Sequence, residues 1–242
     1  MAEPTTEPRP DPEIHHQHRD VSGGWLRPTV FGMMDGLVTN FALILGLTGG
    51  DASHRVVVLG GLASLLAGAF SMASGEYVSV QSQNESTRAE VEVERHELTH
   101  NAEAERSELA QMYVARGVDP ELADEVATQL SRNPEQALLI HAQEELGVDP
   151  SQLPSPYVAA GSSLVSFAIG AFIPLLPFLL GAHSALASSI VSLVALFVAG
   201  TLSSRFTART WLFAGTRQLL IGACAAAITY GIGSLFHVGG VS

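Results

Sequence analysis

A carboxylate, a thioether and two pairs of glutamates carry the chemistry that this sequence offers. Asp35 stands inside the apolar run Thr29–Leu47, about seven residues from its first end. A charged side chain that deep in an apolar helix is costly, and the default reading of such a group is functional. Met72 lies in the next apolar run, Val56–Val80, about eight residues from its far end. At roughly 1.5 Å per helical residue, both groups sit about 10–12 Å deep. A hard carboxylate and a soft thioether at one height suit a borderline divalent transition ion better than Mg²⁺ or Ca²⁺. Two copies of the chain would supply four such ligands. Taken alone, Met72 reads as a packing residue; its height beside Asp35 is what makes it a candidate ligand.

The glutamates form a second pattern. Glu94 and Glu97 make one Glu-x-x-Glu, and Glu105 and Glu108 repeat it eleven residues on. At 100° per residue these four fall within about 80° of one another, joined by Glu90, while Glu92 and Glu103 point away. Carboxylates stacked on one stripe repel, so a cation is expected to compensate; a solvated acidic face is the other reading. Along a straight helix the pairs stand about 16 Å apart. They share one metal cluster only if the helix breaks near Thr99–Asn101, and otherwise form separate sites. His141, Glu144 and Glu145 add donors further on, with His141 and Glu145 spaced i, i+4 to meet on one ion.

Five apolar stretches approach the roughly 20 residues a helix needs to cross a bilayer. They are Thr29–Leu47, Val56–Val80, Tyr157–Leu180, Ala185–Leu202 and Leu219–Phe236. Between the second and third lies a different material: residues 82–152 hold sixteen Asp/Glu against five Arg, a net charge of −11. From Glu76 to Arg116 there is neither Gly nor Pro, so the second span is expected to run on into a long helix. Gly117 and Asp119-Pro120 should end it, with helices at about Pro120–Ser131 and Pro134–Leu146 following. The expected fold is an all-α membrane protein of five transmembrane helices, with a cytoplasmic three-helix metal-binding domain inserted between spans two and three. The expected divisions are a disordered tail over 1–24, spans one and two over 25–81, the acidic domain over 82–152 and spans three to five over 153–242.

Charge sets the orientation and excludes some partners. Arg19 and Arg27 precede span one; Arg205, Arg209 and Arg217 lie between spans four and five; the opposite side has Arg55. Arginines collect on the cytoplasmic side, which puts the N-terminus and the acidic insert inside and the C-terminus outside. An acidic lobe repels phosphates, so no nucleic acid is expected as a partner. Cys224, the only cysteine, lies in an apolar run and reads as a small core residue, not as part of a zinc site. His15, His16 and His18 lie in the tail, which has no signal-peptide pattern. Gly61, Gly68 and Gly75 recur every seven residues, and Gly32/Gly36 and Gly222/Ala226 are small-residue pairs of the kind that lets membrane helices approach closely. Pro174 and Pro177 are expected to kink span three.

At these residues the sequence resembles the vacuolar iron transporter family with its bacterial and nodulin-like relatives. The resemblance is carried by Asp35-Gly-Leu-Val-Thr-Asn-Phe-Ala, by Ser71-Met72-Ala-Ser-Gly-Glu-Tyr77, by the doubled Glu-x-x-Glu, by Glu144-Glu145-Leu-Gly and by Pro174-Leu-Leu-Pro-Phe178. It runs in order over about residues 19–237. It implies a homodimer of five-span subunits that exports Fe²⁺, and often Mn²⁺, in exchange for protons; Zn²⁺ is a further candidate ion, and no organic cofactor is expected. By position it makes Asp35 and Met72 pathway ligands, and Glu94, Glu97, Glu105, Glu108 and Glu145 ligands of the cytoplasmic domain. It implies a multi-pass protein of a bacterial plasma membrane. The chain departs from the family at Ser64, where eukaryotic relatives have a membrane glutamate, and at His141 and Ala142, where methionines are expected. His141 is the candidate substitute ligand there, with Glu144 beside it.

Two other functions fit parts of the pattern. A ferritin-like ferroxidase wants two Glu-x-x-His pairs, and Glu97-x-x-His100 supplies one. A membrane metal sensor would use the acidic lobe but has no need of a carboxylate inside a span. The sequence has no second Glu-x-x-His pair, which argues against the ferroxidase, and Asp35 favours transport over sensing, so a transporter without enzyme activity is expected.

Overall fold

The computed structural model describes residues 24–206 and 209–236, and all the elements in them are helical. The histidines of the N-terminal tail lie outside these residues. Five helices are long and apolar enough to cross a membrane. They are α1 (Leu26–Gly49), the first half of α2 (His54–His100), α6 (Pro156–Leu179), α7 (Ala185–Ser203) and α8 (Trp211–Phe236). Three shorter helices, α3 (Ala102–Ala115), α4 (Pro120–Leu130) and α5 (Pro134–Glu145), complete the acidic lobe.

Helix α1 is the centre of the bundle, packed on α6 and α8. Glycines make this approach possible. A Cβ on Gly36 would meet the backbone of Phe167 and Ala171, and one on Gly170 would meet that of Met33, so the two helices touch main chain to main chain. Asn40 fixes the register: its buried side-chain amide donates to the Ala171 carbonyl at 2.5 Å. On α2, Gly61 and Gly68 receive Leu175 and the Phe167 ring from α6, whereas Gly75 faces open space. Pro174 and Pro177 sit inside α6 without interrupting it.

Three sequence expectations change. Helix α8 begins at Trp211, eight residues before the run expected from Leu219. Arg209 and Arg217 lie over the Phe213 ring at 6.0 and 5.8 Å, and Gln218 is buried, so these polar residues are accommodated along the start of the helix. Cys224 is exposed on α8 instead of lying in the core, because the helix packs through Ala214, Gln218, Gly222 and Ala226 at i, i+4 spacing. The insert has four α-helical segments, not three, because the long helix divides at Asn101.

The division has a local cause. Helix α2 runs 47 residues without interruption, about 70 Å, so membrane span and lobe share one rod. At Asn101 the backbone leaves helical geometry, with φ −128° and ψ 32°. Its side-chain amide turns back to Glu97 Oε2 at 2.5 Å, and its carbonyl accepts from the amides of Ala104 and Glu105 to start α3. Asparagine competes in this way with helix hydrogen bonds. Helix α3 then lies on α4 through Leu109, Ala110 and Ala127, pinned by Arg106 to Asp124 at 2.8 Å. Helix α5 returns to α2 through Val91, Leu138 and Ala142. The chain re-enters the bundle past Pro154, whose carbonyl accepts from Asn84 of α2 at 2.9 Å.

Candidate metal centre

The fold at Asn101 brings one glutamate of each pair to the same place. Donor atoms of Glu94 from α2, Glu105 from α3, and His141 and Glu145 from α5 lie within 4.8 Å of one another. His141 is fully buried. Its Nδ1 stands 2.9 Å from Glu145 Oε1, 3.0 Å from Glu94 Oε1 and 3.7 Å from Glu105 Oε2. A ring nitrogen carries at most one hydrogen, so it satisfies one carboxylate and leaves the other two without that hydrogen. Glu94 Oε1 and His141 Nε2 are both shielded from solvent without a hydrogen-bond partner. A buried group in that state is expensive unless a cation or proton completes it.

The electrostatics point the same way. Burial, followed by the neighbouring charge of Glu145, pushes the Glu94 carboxyl up to about 7, with His141 acting against the rise. Burial also raises Glu105, helped by the Glu108 charge and again opposed by His141. These are carboxylates whose ionised form lacks a counter-charge. Three oxygen donors and one imidazole suit Fe²⁺, Mn²⁺ or Zn²⁺, which accept mixed O and N ligands.

The remaining candidates divide. Glu97 is outside the four-group cluster; its carboxylate takes the Asn101 amide and adds its charge near Glu105. Glu108 is exposed, with its charge felt at both Glu94 and Glu105. Glu144 turns away to pair with Arg116. Arg116 is the lobe residue whose role the sequence did not indicate, while Asn101 lies at the break allowed for near Thr99–Asn101. Within the bundle, Asp35 is half-buried on α1 and accepts from Thr39 Oγ1 at 3.2 Å. Met72 is half-buried on α2 and packs on the cluster of Ala69, Phe167 and Ala171.

The model of the VIT family matches residues 26–234, which takes in every membrane helix and the whole lobe. The chain belongs to the VIT family. Among curated VIT relatives, the vacuolar iron transporter of Acanthamoeba castellanii is 39% identical over 227 residues, covering 90% of this chain and 82% of its own length. Vacuolar iron transporter 1 of Oryza sativa subsp. japonica is 34% identical over 227 residues, covering 90% and 89%. Vacuolar iron transporter 1 of Arabidopsis thaliana is 31% identical over 220 residues, covering 89% and 88%. The VIT match spans both parts of the molecule, the apolar helices and the acidic lobe.

Proposed function

We propose that this protein carries Fe²⁺, and Mn²⁺ with it, out of the cytosol by exchange for protons. The acidic lobe faces the cytosol and captures the ion before it enters the membrane. The observation that carries this reading is the cluster of Glu94, Glu105, His141 and Glu145, in which three carboxylates crowd one buried imidazole. Zn²⁺ fits the same donors. The relatives named as iron transporters support transport in place of enzymatic turnover. A single imidazole in the cluster also departs from the paired Glu-x-x-His of ferritin-like oxidases.

Asp35 supplies the charge that a divalent ion needs inside the bundle, and Met72 the polarisable donor. In a homodimer, two copies of each would surround the pathway. The membrane is read as a bacterial plasma membrane, from the resemblance to the bacterial branch. Arg27, Arg205, Arg209, Arg217 and the arginines of the lobe, against Arg55 at the opposite end, support reading the lobe's side as cytosolic. The test is initial-rate Fe²⁺ and Mn²⁺ uptake into proteoliposomes with and without a pH gradient. Asp35→Asn keeps the shape but not the charge, and should abolish uptake while leaving binding by the lobe intact. Full uptake by Asp35→Asn would overturn the assignment of the pathway.

A further inference from the structure

The end of the bundle farthest from the lobe carries a pair of imidazoles. His54 is the first residue of α2, and His183 lies in the turn between α6 and α7. They are 129 positions apart in the chain, yet their ring centroids stand 4.6 Å apart at an interplanar angle of 55°. Phe178 closes one side, 5.8 Å from the His54 ring. His54 Nδ1 is shielded from solvent and has no hydrogen-bond partner, while His183 is exposed. One nitrogen is thus withheld from water, and a second imidazole is open to it.

Both rings stand on fixed backbone. Ser53 caps the start of α2 by accepting from the Val56 amide. The turn holding His183 is set by Gly181 at φ +90°, by the Ala182 amide on the Pro177 carbonyl at 2.9 Å, and by Ser184 capping α7. Ligands on such supports keep their relative positions when an ion arrives.

We propose that His54 and His183 form a transition-metal site at this end of the bundle, separate from the acidic lobe and from Asp35 and Met72. Two neutral imidazoles select Zn²⁺, Co²⁺, Ni²⁺ or Fe²⁺ over Mg²⁺ and Ca²⁺. With two protein donors, water fills the remaining positions, so the ion exchanges readily. The start of α2 also presents the positive end of a helix dipole, which weakens cation binding there. The site is therefore a weak one, and it binds whether or not the protein transports iron.

The test is site-resolved modification of the full chain in detergent. Diethyl pyrocarbonate acylates unprotonated, unligated imidazole nitrogens, and mass spectrometry reads each histidine separately. With Zn²⁺ at about ten times its dissociation constant, the His183 rate should fall about tenfold by mass action. Mg²⁺ at the same concentration should have no effect. In His54→Gln the protection of His183 should disappear while its metal-free rate stays near that of the wild type. If His54→Gln does not fold, His183→Gln serves instead, with loss of protection read at His54. Equal His183 rates with and without Zn²⁺ overturn the site. Protection that survives His54→Gln shows a lone surface histidine and overturns the pair.

Discussion

Replacing Glu94 with Gln will flatten the pH dependence of metal binding by the lobe. Metal binds the ionised carboxylate, so protons compete with it. Burial raises this carboxyl from an ordinary 4.5 to about 7. Between pH 7.5 and 5.5 its ionised fraction then falls from about three-quarters to about 3%, which weakens the ion's affinity about 25-fold through this one group. Glu105 is raised too and adds a smaller slope in the same direction. The Glu94→Gln variant should bind more weakly at pH 7.5 and lose most of the change with pH. The metal-free protein gives an independent readout of opposite sign. A carboxyl raised in the folded state contributes stability that is complete below 4.5 and is lost as pH rises through about 7. Metal-free wild type should therefore melt lower at pH 7.5 than at pH 5, and Glu94→Gln should lose most of that difference. The assay is anaerobic Fe²⁺ titration calorimetry of the full chain in detergent at four pH values, paired with thermal melts. An unchanged affinity slope in Glu94→Gln would refute the placement of this carboxylate against the ion.

Three further outcomes follow from the geometry. Glu144→Gln should leave the number of bound ions unchanged, because Glu144 is committed to Arg116; loss of an ion by equilibrium dialysis would contradict this. Met72→Leu keeps volume but removes sulfur, so proteoliposome uptake of Fe²⁺ should fall more than that of Mn²⁺; equal losses would mean that Met72 only packs. Gly36→Ala drives a methyl into the α6 backbone and should cost about 1–3 kcal/mol, seen as a lower melting temperature in detergent; an unchanged melt would refute the contact.

The membrane helices were legible because their apolar runs are long and their breaks polar or glycine-rich. The start of α8 was not, since Arg217 and Gln218 read as loop; a window of hydropathy does not register a buried glutamine or a guanidinium resting on Phe213. The faces of α2 and α3 were legible as a periodic stripe, but their meeting depended on one residue. The stretch Glu76–Arg116 contains neither Gly nor Pro, so Asn101 was the sole local sign of a break. The i, i+4 relation of His141 and Glu145 was plain, whereas the contact of α5 with α2 came from matching apolar faces around Val91, Leu138 and Ala142. Periodicity shows which side of a helix is apolar, not which partner covers it. Cys224 failed for the same reason: in a membrane bundle, apolar surroundings include lipid as well as core.

The unbroken course of α2 also makes it a lever. Glu94 lies twenty-two residues beyond Met72 on the same helix, about 33 Å along its axis. A 5° tilt pivoting at Met72 would swing Glu94 sideways by about 3 Å at that radius. That displacement exceeds a metal–ligand bond of about 2.0–2.2 Å. Glu105 on α3 and His141 and Glu145 on α5 set where Glu94 must stand if the four donors are to meet on one ion. The angle at which α2 crosses the membrane therefore bears directly on the fit of a site held well outside it.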